Sequence, residues 1–336
     1  MAKLLVIIGV TGLQGGSVAR LYQNLYQKEP GRRIRGITRD PTKPSNAALR
    51  EAGIELVAAD LDDPSSLDRA FEGANAIFAV TDFWQFLQQP ATFAEAEKTG
   101  RLPNQVAMDH EIQQGRNIID MAAKHLAGLD RLVLSTLSDS QKWSNGEIRW
   151  NLHFDGKAKI TDYLKTTYPD LAAKSSYVQM GNYLSNWRML PIFAPQKQAD
   201  GSFIFYALAK PNGKAIPYVD PPNDTGYFVK ALIDAPAGIT LLGYGEAMQA
   251  EEHVALWGKV NGVRARFEQL TAEVAREAGL PEFLVLEVTE SGMYSSSYGW
   301  DGGDPEVKHP KDVGVDVGKL TKVEDYFRKE DWSGVL

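Results

Sequence analysis

Two groups of residues in this chain have the types and spacing to do chemistry. The first is Gly9, Gly12 and Gly15, which follow the apolar run Leu4–Ile8 directly. Glycines at this spacing let a chain reverse after a strand and let backbone approach a pyrophosphate. They also bring a helix close to the strand, so that its free N–H groups face phosphate oxygens. The second group is His153-Phe154-Asp155-Gly156-Lys157. Its imidazole and ammonium stand four residues apart, one turn on a helix, which puts both on one face. An imidazole titrates near neutrality and suits acid–base work, and an ammonium suits a ribose or a developing negative charge.

The elements needed to position these groups are legible around them. Val18, Leu21, Tyr22 and Leu25 recur at helical intervals after the glycines, so 3–26 reads as strand, glycine turn and helix. A second strand is expected over 32–38, a helix over 46–52 and a third strand over 54–58. A helix opening at 62–65 and ending near Phe71 follows, then a fourth strand over 76–80. A helix over 106–126 and a fifth strand over 131–134 complete the first half. This alternation predicts an α/β fold, a doubly wound parallel sheet with its ligand at the carboxyl ends of the strands. Residues 83–104, with Pro90, Gly100 and Pro103, read as a long irregular connection, either a lid or partner loop or a surface insertion without a role.

After about residue 185 Pro and Gly become frequent, and a smaller α+β lobe is expected over 186–336, with some of its segments returning to the sheet of domain 1–185. Residues 201–209 read as a strand turning at Pro211-Asn212-Gly213 into a hairpin. A helix is expected over 227–234. An amphipathic helix over 263–279 should stop at Gly279-Leu280-Pro281, and 291–304 reads as loop, with Trp300 either in an ordinary surface segment or closing over a substrate pocket.

The second strand ends at Arg39, with Lys43 close behind. A guanidinium at this place takes a ribose 2′-phosphate, whereas an acid takes a 2′-hydroxyl, so NADP is favoured over NAD. Asp40 is the weaker, acidic candidate. Asp60, at the end of the third strand, suits either an adenine amine or a turn cap. A reductase of this architecture would ordinarily carry Tyr-x-x-x-Lys on one helix, the ammonium lowering the phenol pKa. Only Tyr206 and Lys210 have that spacing, and in a strand they stand about 13 Å apart, too far to act together. His153 therefore occupies the tyrosine place, either as an acid or as a packing residue. Ser135 and Ser138, after the fifth strand, suit substrate contact or turn capping equally. His110, His125, His253 and His309 show no metal-ligand spacing and read as structural, so no metal is expected.

The composition narrows the classes. The net charge of −7 disfavours direct binding of nucleic acid or an anionic membrane, since phosphate backbones are held mainly by Lys and Arg. The absence of cysteine removes disulfides, thiol chemistry and Cys-based metal sites. The N-terminal apolar run is too short for a secretion signal, and no window approaches a membrane span, so a cytoplasmic location is expected, with the nucleus as the alternative.

GVTGLQGGSV (9–18), TRDP (38–41), ADLDD (59–63), HFDGK (153–157) and GNYLSNW (181–187), with VDPPNDTGYFVKALI (219–233) further on, resemble the NmrA-like proteins, atypical members of the short-chain dehydrogenase superfamily. The resemblance implies a Rossmann domain that prefers NADP and a small C-terminal domain. By position it implies that Gly9, Thr11, Gly12, Leu13, Gln14 and Gly15 hold the pyrophosphate, and Arg39 to Lys43 the 2′-phosphate. Asp60 and Leu61 would lie at the adenine, Thr81, Asp82 and Phe83 near adenosine and ribose, Lys157 at the nicotinamide ribose, and Tyr183 to Asn186 by the nicotinamide. Gln113 stands where some relatives have a cofactor-contacting lysine, and the 83–104 connection looks longer than theirs. The leading expectation is an NADP(H)-binding redox-state sensor or regulator with a protein partner. The alternative is an NADPH-dependent reductase of a small carbonyl or imine, with Lys157 and His153 or Tyr183 in the site.

Overall fold

The computed structural model describes residues 3–27, 29 and 31–336. Its strands are β1 Lys3–Ile8, β2 Arg32–Thr38, β3 Glu55–Ala58, β4 Ala76–Ala79, β5 Arg131–Thr136, β6 Ser175–Met180, β7 Asn182–Tyr183, β8 Gln196–Lys197, β9 Phe203–Ala207, β10 Ile216–Val219, β11 Thr240–Gly243, β12 Glu246–Met248 and β13 Ala265–Gln269. Seven of them form one parallel sheet in the order β11-β6-β5-β4-β1-β2-β3. The order turns back between β1 and β4. The loops after those two strands therefore leave in opposite directions and open a crevice at the sheet's carboxyl edge.

The strands are apolar on both faces, as a parallel sheet covered on both sides requires. Leu4, Val6 and Ile8 of β1 pack with Phe71, Ile118 and Leu134 on one face. Leu5 and Ile7 pack with Val18, Phe228 and Val229 on the other. Each such fully buried side chain contributes about 1.5–3 kcal/mol. The helix Leu13–Tyr26 lies against the helix Pro221–Asp234, where the Gly226 N–H donates to Ser17 Oγ at 3.0 Å. Residues 221–243 thus build part of the main layers, and β11 is an edge strand of the main sheet. Two three-stranded sheets, β12-β10-β7 and β13-β9-β8, stand beyond the carboxyl edge over a separate core that includes Phe203, Phe205, Tyr218, Trp257 and Trp332.

Several sequence expectations are corrected here. Residues 83–104 are largely helical, not irregular: a short turn at Phe86–Gln88 leads to the helix Pro90–Thr99, and the next helix, Pro103–Lys124, starts early. Pro90 and Pro103 sit in first turns, where no N–H is missed, and Gly100 closes its helix with φ 66°. The residues that suggested a loop are helix boundaries. No hairpin follows β9. Asn212 does turn the chain, with φ 55°, but β9 pairs with β13 and β8, and β10 joins the other small sheet. Residues 263–279 are not one helix: Ala265–Gln269 is a strand, and the short helix Ala272–Glu277 is capped by the Thr271 side chain. The helix expected from Tyr227 begins at Pro221. The expected loop 291–304 is half helix, because Glu282–Ser297 continues through Ser291. There the Ser295 and Ser296 hydroxyls bond back to the Gly292 carbonyl, and Tyr294 is fully buried. Burial overrides the weak helix propensity of Ser, Tyr and Gly.

Candidate functional site

A cleft of about 850 Å³ runs along the carboxyl edge of the main sheet and on into the space beneath the two small sheets. The local geometry starts at the glycine turn. Gly9 has φ +65°, and a Cβ on Gly15 would stand 2.2 Å from the Gly9 carbonyl oxygen, so the strand and helix meet at a distance only glycine permits. No side chain caps the helix Leu13–Tyr26, and its first turn holds no acid. Its opening N–H groups are left for an anion. Gly9, Thr11, Gly12, Leu13, Gln14 and Gly15 all line the cleft here.

At the next strand end, Arg39 and Lys43 line the cleft as exposed cations. The neighbouring acid, Asp40, is occupied. Its carboxylate accepts the Thr42 N–H at 2.9 Å and the Thr42 hydroxyl at 2.6 Å, and these bonds hold its pKa below the usual carboxylate range. The Asn46 amide ties down the Asp40 carbonyl at 2.9 Å. These bonds use Oδ1 of Asp40 and leave its Oδ2 open, while the Arg39 guanidinium beside it has no partner among the described residues. Asp60 and Leu61 line the cleft beyond β3. Asp60 caps its own turn, Oδ1 accepting the Asp62 N–H at 3.0 Å.

Thr81, Asp82 and Phe83 follow β4 and line the opposite wall. Behind them lies a buried group that the sequence reading missed. Glu111 is fully buried on the helix Pro103–Lys124, and its Oε1 accepts from the Lys157 ammonium at 2.7 Å and from the Thr81 hydroxyl at 2.8 Å. The ammonium also donates to the Thr81 carbonyl at 2.9 Å. Lys157 is thereby fixed on its helix, Leu152–Thr167, at the edge of the cleft. An available signal pointed to Glu111: it falls on the helix face that also carries Ala107, Gly115 and Ile118, and a buried carboxylate needs a cation. Gln113 is exposed and bonds within its own helix to Asn117, while its neighbour Gln114 lines the cleft and donates to Asp62.

His153 lies one turn before Lys157 and also lines the cleft. Its ring packs against Phe83, Trp84 and Phe154. Its Nδ1 is 2.7 Å from Oε1 of Glu287, and its backbone N–H donates to that oxygen at 2.9 Å. Tyr183 and Asn186 line the cleft across from the glycine turn. The Gln14 amide donates to the Tyr183 hydroxyl at 2.7 Å, and burial pushes that phenol up to about 12. Of the two serines, Ser135 lines the cleft, as does Thr136, for β5 runs two residues further than expected. Ser138 is committed elsewhere, bonded to the Tyr294 hydroxyl and the Trp300 carbonyl. Trp300 itself is a wall residue and not a surface one: its indole N–H donates to the Met180 carbonyl at 2.9 Å, and its ring meets Phe154.

Past Lys157 the cleft changes character. Its far part is lined by Phe193, Phe205, Tyr206, Ile216, Tyr218, His253, Val254, Val288, Phe327 and Trp332. Among the described residues, no Asp, Glu, Lys or Arg after Lys157 lines it. His253 stacks on Tyr218 at 4.3 Å and meets the edge of Phe327, and burial pushes its imidazole down to about 3. This histidine, read from sequence as merely structural, is a neutral wall of the chamber. Among the described residues no helix is long and apolar enough to cross a membrane.

The family model described as "NmrA-like family" matches residues 1–327. An oxidoreductase of that family from Aspergillus hancockii, hkm9, is 29% identical over 308 residues, covering 87% of this chain and 84% of its own. The fold is similar to the crystal structure of NmrA, a negative transcriptional regulator, in complex with NADP, with a TM-score of 0.71 and 17% identity over 100% of this chain and 99% of that one. It is similar also to the Escherichia coli NADPH-dependent quinone oxidoreductase QOR2 complexed with NADPH, with a TM-score of 0.66 and 18% identity over 97% and 99%. This chain belongs to the NmrA-like family.

Proposed function

We propose that this protein binds NADP(H) along the cleft and acts as an NADPH-dependent reductase of an uncharged, largely apolar substrate with a carbonyl or imine group. The observation that carries the reading is the continuation of the cleft. The part of the chain that follows Lys157 gives the cleft an aromatic and apolar wall with no Asp, Glu, Lys or Arg among the described residues, and such a wall suits a second, uncharged ligand beside the dinucleotide. Names of relatives support the same direction, since hkm9 is called an oxidoreductase and QOR2 an NADPH-dependent one.

Bound NADPH would supply the hydride. The chain's own residues would do the rest. The glycine turn holds the pyrophosphate, Arg39 and Lys43 hold the 2′-phosphate, and Asp60 and Leu61 border the adenine. Thr81, Asp82 and Phe83 border the ribose, and Tyr183 and Asn186 flank the nicotinamide. The Lys157 ammonium gives its three N–H groups to Glu111, the Thr81 carbonyl and the Thr81 hydroxyl, so it would exchange one of these bonds for the nicotinamide ribose. His153 stands where the tyrosine of a Tyr-x-x-x-Lys pair would stand and donates the proton. The aromatic chamber favours flat, neutral substrates, because a charge entering it would lose hydration without gaining a partner.

A second reading, a redox-state sensor that does not turn cofactor over, is favoured by one observation. The tyrosine is absent, and Lys157 is already paired with a buried carboxylate. The deciding experiment is NADPH consumption with a panel of uncharged aromatic aldehydes, imines and quinones. Turnover that Lys157→Ala abolishes establishes the reductase. Tight NADPH binding without turnover, together with a partner whose association depends on the cofactor, establishes the sensor. Binding of neither nicotinamide cofactor contradicts both.

A further inference from the structure

Glu287 is fully buried on the helix Glu282–Ser297, far along the chain from the residues of the cofactor half. Its two carboxylate oxygens are used in different directions. Oε2 accepts from the Asn104 amide at 3.0 Å, and Asn104 is itself fully buried in the first turn of the helix Pro103–Lys124. Oε1 faces His153, taking the backbone N–H at 2.9 Å and standing 2.7 Å from Nδ1. The carboxylate is thus clamped by one helix and aimed at the residue of another that lines the cleft.

A carboxylate only accepts hydrogen bonds, so the proton between Oε1 and Nδ1 belongs to the imidazole. That fixes the ring's orientation. Nδ1 points at Glu287, and Nε2 makes no hydrogen bond among the described residues while the ring lines the cleft. Phe83, Trp84 and Phe154 hold the ring plane. A histidine that only filled space would not need a buried charge brought from a distant helix, because burying a carboxylate is costly unless it is paired.

We infer that Glu287 is a positioning residue that holds His153 with Nε2 toward the substrate chamber, so that the pair supplies the proton that Tyr-x-x-x-Lys supplies elsewhere. The inference rests on the reductase reading above. In the step, the substrate carbon receives the hydride with its two electrons from NADPH, and the C=O or C=N π bond breaks. The heteroatom takes the proton from His153 Nε2, leaving an alcohol or amine, NADP⁺ and neutral His153 bound to Glu287. Solvent then restores the proton. Glu287 takes no proton in the step and holds Nδ1 throughout, as a triad carboxylate does. Other charged groups on the elements around His153 include Lys157 and Asp155 on its own helix, Asp82 beside Phe83, and Glu290 one turn beyond Glu287, and Asp155 is committed to the Ser140 N–H and hydroxyl. Glu290 is committed to the Arg149 and Trp150 N–H groups, and Lys157 to Glu111.

The test has an arm that needs neither cofactor nor turnover. In cofactor-free protein labelled with ¹⁵N-histidine, His153 is assigned by its loss in His153→Gln and should show a proton on Nδ1. In Glu287→Gln, which keeps the size and the Asn104 contact, that Nδ1–H signal should broaden or vanish. A His153 protonated on Nε2 alone in the wild type, or an unchanged spectrum in Glu287→Gln, overturns the pairing. The second arm uses 9,10-phenanthrenequinone and benzaldehyde as probes. Glu287→Gln should lower kcat about 10- to 100-fold and His153→Gln about 100-fold or more, with the double variant no worse than His153→Gln and NADPH affinity within twofold of wild type. Unchanged kcat in either folded single variant overturns the role. Absence of turnover by the wild type contradicts the reductase reading and the proton-donor role with it, while the first arm still reports whether the pair exists.

Discussion

The Lys157 ammonium lies 2.7 Å from Glu111 Oε1, and the same oxygen takes the Thr81 hydroxyl at 2.8 Å. Three elements meet in this knot: the loop after β4, the helix Pro103–Lys124 and the helix Leu152–Thr167. Removing one charge leaves the other buried without a partner. Glu111→Ala should therefore cost about 3 kcal/mol, the low end for breaking a buried pair, because Lys157 reaches the cleft. Urea denaturation measures it, and a loss below about 1 kcal/mol would show that the pair contributes little.

In the proposed function the Arg39 guanidinium, which has no partner among the described residues, takes the 2′-phosphate and sets cofactor preference. Arg39→Ala should weaken NADPH about 10- to 100-fold, the worth of a charge-assisted phosphate contact, and leave NADH nearly unchanged. Calorimetric titration with both cofactors checks this. Equal losses for the two would place Arg39 away from the 2′-phosphate.

The contact between Gly15 and the Gly9 carbonyl leaves no room for a methyl group, since a Cβ would stand 2.2 Å from that oxygen. Gly15→Ala should lower stability by about 1–3 kcal/mol through forced displacement of strand and helix. It should also reduce NADPH binding more than that loss accounts for. Thermal melts with and without NADPH separate the two effects: the cofactor-induced rise in Tm should shrink or vanish.

Burial holds the His253 imidazole down at about 3 in the folded protein, against 6.5 in an exposed histidine. Below 6.5 the unfolded chain binds a proton that the folded chain does not. This histidine's contribution is therefore whole above pH 6.5 and is lost as pH falls toward 3, with a slope of no more than about 1.4 kcal/mol per pH unit. His253→Phe should flatten the fall in stability over that window. Urea midpoints from pH 4 to 7 measure it, and equal slopes in the two proteins would contradict the assignment.

Much of the cofactor half could be read from residue order alone. The glycine spacing after an apolar strand, Arg39 after the second strand, and the alternation of strands and helices to Leu134 are local signals, and they position the cleft's first wall. The remainder depends on contacts between distant segments. The helix face of Glu111 hints at its burial, but neither its partner Lys157 nor the meeting of Glu287 with His153 can be read from residue order, because folding brings distant segments together there. The Pro and Gly of 83–104 mark helix ends as readily as loops, and only packing decides between them. The helix through Ser291–Ser297 runs against local propensity because Val288 and Tyr294 are buried there. His253 became a wall of the chamber through β10, whose Tyr218 it stacks upon.

Steady-state oxidation of NADPH with matched pairs of probes shows most directly whether the cleft joins an NADP site to a chamber for an uncharged substrate. In each pair, one aromatic carbonyl or quinone is neutral and its partner carries a sulfonate. Neutral members should turn over, with loss in Lys157→Ala, and kcat/KM for the sulfonated ones should be at least about tenfold lower. Tight NADPH binding with no turnover of any probe, or equal use of charged and neutral members, would contradict that arrangement.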